Sequence, residues 1–279
     1  MKKINTLVDD IYKSLKPLNN GKSLKISEEL IEHFGERIKD VIRHWRTAQE
    51  SNPNSVRMSN IGKPLRRMWY DAKYGVNQKE QSPFLPIKFL YGHILEEVLL
   101  FLVDLAGHEA TDQQKEVTLN GVKGHIDCKI DGEVIDIKTA SNFAFNKFKN
   151  GTLASDDPFG YLAQLSGYEE AEGSSEGGFL VINKESGELV LYRPDELDKP
   201  NSHNLITKVK NSLASDTPPD LCYEPVPEGK AGNMKLAKNC VYCPHKFRCY
   251  PNLRVFKYSK GLTYFTKIVS EPKVEEVWL

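Results

Sequence analysis

Two aspartates and a lysine occupy positions where a pair of strands would bring them together. In the stretch from Gly124 to Ser141, Ile126, Cys128 and Ile130 alternate with His125, Asp127 and Lys129, and Ile135 and Ile137 alternate with Val134, Asp136 and Lys138. Between the two halves stands Asp131-Gly132, a dipeptide favoured in two-residue hairpin loops. With that loop, Ile130 pairs with Glu133, Cys128 lies opposite Ile135, Asp127 opposite Asp136 and Ile126 opposite Ile137, while His125 faces Lys138. Like charges directly opposite on a ladder destabilise it, and a divalent cation between two hard carboxylates removes the conflict. Lys138 shares the face of Asp136, so its ammonium can serve a water or a developing anion at the same spot. The alternative is a solvated polar face with a surface ion pair. Cys128 falls on the apolar face, as a small buried hydrophobe does.

The elements that must position these residues are legible in outline. The segments "INTLVDDIYKSLKPL" and, after Ser27 as N-cap, "SEELIEHFGERIKDVIRHWRTAQE" repeat apolar residues at helical spacing. The turn-rich "SNPNSVRMSNIGKP" leads to a helix with Pro64 in its first turn, and Arg57, Lys63, Arg66 and Arg67 concentrate positive charge there. The apolar helix "PIKFLYGHILEEVLLFLVDLAG" gathers His93, Glu96 and Glu97 in its middle and ends at Gly107. A turn at Asn120-Gly121 precedes the hairpin, so three antiparallel strands are expected. A helix capped by Asp156 or Asp157, with Pro158 at its start, then puts Gln164 and Tyr168 one turn apart. Two strands about Ser186-Gly187 and a further helix complete the order. Phe143, Phe145 and Phe148, interleaved with Lys147 and Lys149, suit either a base-stacking element or core filling.

The chain has 279 residues, 39% of them hydrophobic, enough for a packed core. Lys+Arg and Asp+Glu both total 38, so contact with nucleic acid must come from local patches. Charges interrupt the first residues before a signal core can form and no apolar run is long enough to span a bilayer, so a cytoplasmic protein without a membrane partner is expected. The expected divisions are a helical N-terminal segment at 1–55, an α/β core at 56–215 and a cysteine-rich metal-binding module at 216–279.

Taken together, Asp127 followed by Asp136-Ile137-Lys138, with Gly92-x-x-x-Glu96 before and Gln164-x-x-x-Tyr168 after, resembles the PD-(D/E)xK nuclease superfamily in its RecB-type branch, which includes phage exonucleases. The likeness covers about residues 57–193. It implies a restriction-endonuclease-like α/β fold with a central mixed sheet flanked by helices, and metal-assisted hydrolysis of DNA. By resemblance, Asp127, Asp136, the Ile137 carbonyl and Glu96 would ligate Mg²⁺ or Mn²⁺, with Glu96 favoured over Glu97, although this branch often has a His at that position. Lys138 would orient or deprotonate the attacking water, Gln164 and Tyr168 would position DNA or support Lys138, and Arg57, Lys63, Arg66 and Arg67 would meet its backbone. A phage-type exonuclease in recombination, repair or degradation is the leading reading, working in a host cytoplasm if phage-encoded, with a strand-annealing or recombination protein as partner. A junction-resolvase-like endonuclease and a non-catalytic DNA-binding protein are the rivals.

Cys240-x2-Cys243-x5-Cys249, with Cys222 upstream, is a thiolate set suited to zinc or a [4Fe-4S] cluster, either of which can hold a segment lacking its own core. The last three are spaced similarly to the iron-sulfur staple of AddB-type and CRISPR-adaptation nucleases. Those place a fourth cysteine before the nuclease core, where this chain has none. Cys222 is the substitute, and His245 the second option.

Overall fold

The computed structural model describes residues 2–47, 56–75 and 83–278. The expected end of the second helix and the turn-rich residues 51–55 lie outside them. From the amino terminus the chain forms α1 (Leu7–Asn19), α2 (Glu28–Trp45), α3 (Leu65–Tyr74) and α4 (Leu85–Leu105). Five strands follow: β1 (Ala110–Thr111), β2 (Glu116–Leu119), β3 (Val122–His125), β4 (Cys128–Ile130) and β5 (Glu133–Ala140). Next come α5 (Asn142–Lys149), α6 (Tyr161–Ala171), β6 (Gly177–Asn183), β7 (Leu189–Tyr192) and α7 (Ser202–Ala214). The last section holds β8 (Val226–Glu228), β9 (Asn233–Lys235), α8 (Lys238–Val241), α9 (Lys246–Cys249), β10 (Arg254–Tyr258) and β11 (Gly261–Lys267).

Two compact units result. One comprises the described residues of Met1–Ser51, Val56–Gly62 and Gln81–Thr207, the other those of Lys63–Glu80 and Lys208–Leu279. The division differs from boundaries at 56 and 216. Leu7 and Ile11 of α1 join the core of the first unit, so the N-terminal helices are not separate, and α3 belongs with the cysteine-containing unit. No helix among the described residues is long and apolar enough to cross a membrane.

The first unit is built on a mixed five-stranded sheet in the order β1-β4-β5-β6-β7, with β5 and β6 parallel and the other pairs antiparallel. Residues alternate across it. Cys128, Ile130, Ile135, Ile137, Leu180 and Ile182 pack against α1 and α4, while Val134, Ala140, Phe179 and Val181 pack against α5 and α6. Helix α2 lies on α4, where Arg37 meets Glu97 at 3.2 Å and Asp104 at 3.5 Å. Its N-cap is Ser27, whose hydroxyl accepts from the Leu30 N–H.

The hairpin has the expected register. Asp131 and Gly132 both take positive φ, 51° and 90°, and Ile130 pairs with Glu133 and Cys128 with Ile135. The three-stranded meander does not form, however. Strands β2 and β3 make a separate two-stranded sheet, and the chain bends at Ile126-Asp127 to enter the central one. The Ile126 N–H donates to the Lys115 carbonyl, and the Asp127 carbonyl accepts from Gln114. Ile126 therefore packs on the α6 side, opposite to Cys128 and Ile130, and His125 pairs with Glu116 instead of facing Lys138.

Helix α6 starts later than Pro158. The Asp157 carboxylate accepts from the N–H groups of Gly160 (3.0 Å) and Leu162 (2.9 Å), and Gly160 sits at φ 75° with its backbone against Gly62. A Cβ on Gly160 would fall 2.4 Å from the Gly62 Cα.

The second unit has its own sheet, β10-β11-β9-β8, and an apolar core of Leu236, Val255 and Tyr264 with Cys240, Val241, Tyr250 and Leu253 packed on it. The expectation of a coreless segment stapled only by metal is corrected by the β10–β11 hairpin, in which Val255 pairs with Tyr264.

Replacing Gly160 by Ala should lower stability by about 2 kcal/mol or more, since left-handed strain and the Gly62 clash add. Gly132→Ala, at φ 90° but in open space, should cost only about 1 kcal/mol. Thermal melts followed by circular dichroism compare the two; equal losses would show that the Gly62 contact contributes nothing.

Candidate functional site

The strand period turns Asp136 and Lys138 of β5 toward α6, into the wall of the fold and away from bulk solvent. Asp136 is only 1% exposed. Its Oδ1 accepts from the Gln164 amide at 3.3 Å, and its Oδ2 is ion-paired with the Lys138 ammonium. The same Gln164 amide also donates to the Tyr168 hydroxyl at 3.2 Å, so one side chain of α6 links the strand acid to a buried tyrosine. Burial pushes the Tyr168 phenol up to about 12, so it remains protonated at neutral pH.

Asp127, at the bend before β4, accepts the Ile137 N–H at 2.7 Å, the cross-strand neighbourhood that the hairpin count requires. Burial raises the Asp127 carboxyl well above the ordinary carboxylate range, and the adjacent Asp136 charge adds to the shift. Burial also raises Asp136, with Lys138 opposing. Burial works against the charge on Lys138, but Asp136 and Asp127 outweigh it and hold the ammonium above its usual value. Lys138 is therefore a charged donor in this state. Its Nζ lies 5.2 Å from the centre of the Tyr161 ring.

The two acids of α4 separate. Glu96 accepts from the Gln114 amide at 2.9 Å, has His93 at 3.8 Å, and adds its negative charge to the field at both Asp127 and Asp136. Glu97 turns away to Arg37. Thus Asp127, Asp136, Lys138, Gln164 and Tyr168 form one connected cluster with Glu96 facing it. Asp127 and Asp136 share the single ammonium of Lys138, and Glu96 acts on both acids with like charge. Among the described residues, no three His, Cys, Asp or Glu side chains are placed to hold a metal ion as they stand. In the acidic cluster the oxygens point to Lys138, the Ile137 N–H and Gln114.

The basic residues divide between the two units. Arg57 is exposed in the first unit, its backbone bridged to Lys123. Lys63, Arg66 and Arg67 belong to the second unit. There Cys222, Cys240, Cys243 and Cys249 line one pocket together with Arg66, Arg67 and Tyr70. Arg66 donates through Nε to the Cys249 sulfur at 3.2 Å and through its guanidinium to the Pro219 carbonyl. Burial raises Cys222, Cys243 and Cys240, the last to about 11, and backbone N–H groups of Arg67 and His245 work the other way at Cys222 and Cys243. His245 is turned to Asp71 at 2.7 Å and stacks on Tyr70.

Phe145 and Phe148 of α5 fill the core, whereas Phe143 is exposed with Lys147 over its ring. Sequence reasoning missed three side chains. Tyr161 was findable, three residues before Gln164 on the same helix face. Gln114 and Arg37 left no signal, since each reaches its glutamate across a tertiary contact.

No family model and no curated protein matches the chain. Among solved structures it is similar to SSO0001, at 18% identity over 79% of this chain and 96% of that one, with a TM-score of 0.44. It is also similar to a phage-related exonuclease from Haemophilus somnus 129PT, at 14% identity over 57% and 90% with a TM-score of 0.37. The likeness to an alkaline exonuclease, LHK-Exo, from Laribacter hongkongensis is 12% identity over 67% and 94%, with a TM-score of 0.38.

A carboxyl whose folded pKa is raised loses stability as pH climbs from its unfolded value through the folded one. Asp127→Asn keeps an acceptor for the Ile137 N–H and removes the charge. In chelator at pH 8 it should therefore raise the melting midpoint by about 2–4 °C, an advantage that should shrink as pH falls toward about 4 and vanish below about 3, where Asp127 is protonated in both states. A lower midpoint at pH 8 would show that the acid is not electrostatically frustrated.

Proposed function

We propose that this chain is a divalent-metal-dependent DNA nuclease, of the phage-exonuclease kind in recombination, repair or degradation. The observation that carries the reading is the crowding of carboxylates in a buried cluster: Asp127 and Asp136 share the one ammonium of Lys138, and Glu96 adds its negative charge to the field at both. A protein that merely bound DNA would gain nothing by clustering acids beside a polyanion.

Asp127, Asp136, Glu96 and the Ile137 carbonyl are the hard oxygen donors that would hold Mg²⁺ or Mn²⁺. Such a cation supplies a nucleophilic water at neutral pH and neutralises charge on the phosphate. Lys138 holds a proton-bearing Nζ at the acids and in that state is the group to orient the attacking water; to take the water's proton it must first give up its own. Gln164 fixes the Asp136 carboxylate from α6, and Tyr168 fixes Gln164. Arg57 is the basic residue of the first unit left to meet the DNA backbone; Arg66 and Arg67 are better assigned to the thiols.

For the second unit we assign a [4Fe-4S] cluster to Cys222, Cys240, Cys243 and Cys249, with zinc as the alternative. Four soft donors line one pocket with N–H groups directed at sulfur; their chemistry suits either group, although the thiols would have to draw together from where they stand to hold it. Iron and labile sulfide in anaerobically purified protein support the cluster; stoichiometric zinc in colourless protein replaces it.

Asp136→Ala and Lys138→Ala should each reduce Mg²⁺- or Mn²⁺-dependent DNA degradation by about a hundredfold or more, with the circular dichroism spectrum retained. Undiminished activity of either variant removes the site. Linear DNA should be degraded and covalently closed circles spared; circles cut as fast as linear molecules would favour the endonuclease.

A further inference from the structure

Phe159 is 59% exposed, yet it is neither isolated nor loosely held. Its ring stacks on Tyr161 at 5.4 Å between centroids and 23° between planes, and Tyr161 is the ring beneath the Lys138 ammonium. Behind Tyr161, Phe148 and Phe179 lie at 6.1 and 6.4 Å, so the stack is rooted in the core. The loop carrying Phe159 is fixed on both sides. Lys147 is paired with Asp156 at 2.5 Å, and Asp157 accepts from Gly160 and Leu162. Scattered exposed apolar side chains need no explanation. A rigid phenyl ring that extends an aromatic stack outward from a buried acid cluster presents a π-face at a defined place.

Resting on the nuclease reading above, we infer that Phe159 is the stacking platform for an unpaired nucleobase of the substrate strand beside the Asp136–Lys138 cluster. Every base has a π-face, so the platform accepts any sequence, but it can be reached only by a base that is not paired within a duplex. The ligand class is therefore single-stranded DNA or a frayed end.

The test uses the full chain in chelator with a short single-stranded oligonucleotide carrying the fluorescent base aminopurine. The wild type should bind it and quench its fluorescence. Phe159→Ala should bind at least about fivefold more weakly and lose the quenching, with an unchanged melting midpoint, while Phe159→Trp should restore both. In turnover, Phe159→Ala should raise KM for frayed or single-stranded ends more than it lowers kcat. Equal affinity and quenching for wild type and Phe159→Ala overturns the inference while leaving the nuclease reading to the Asp136→Ala result. A wild type that neither binds nor degrades DNA overturns both.

Discussion

A carboxylate withdrawn from water must be answered by partners, and most of the first unit can be understood as the answer for Asp136. Its neighbours come from three directions: Lys138 along the same strand, Gln164 from the helix above, and Asp127 from the bend where the chain leaves one sheet for another. Each is positioned by an ordinary structural device. The positive-φ turn sets the register of the strands, and Asp157 with the Gly62–Gly160 contact fixes where α6 begins and hence which way Gln164 points. The arrangement leaves the acids crowded, a cost that a core optimised for stability alone would not carry.

How far the sequence revealed this varied with the range of the forces involved. The hairpin was legible because a two-residue period and a turn dipeptide are local, and they agree. Gln164 and Tyr168 were legible for the same reason at helical spacing. The choice between Glu96 and Glu97 turns on Arg37 in α2, a partner that no pattern within α4 can indicate. The bend at Ile126-Asp127 was hidden because Ile126, Cys128 and Ile130 alternate identically whether the strand continues or changes sheet.

The second unit was read mainly through its cysteines, and that obscured its fold. Val255, Phe256, Tyr264 and Phe265 lie around a two-residue connection in an ordinary hairpin, and they supply apolar burial that the thiols were expected to replace. The basic cluster before α4 misled for a related reason. Charge was legible but direction was not: Arg66 donates to the Cys249 sulfur.

Asp136, Lys138, Phe159, Tyr161, Gln164 and Tyr168 all fall within the single crossover that leaves β5 and returns as β6. Asp136 and Gln164 are 28 residues apart, and a parallel pair such as β5–β6 closes only after the entropy of its crossover loop has been lost. The cluster therefore assembles only when β5, α6 and β6 come together, so its electrostatic cost falls on a step of long sequence separation. Only Asp127, from the bend before β4, and Glu96, from α4, join the cluster from outside that stretch.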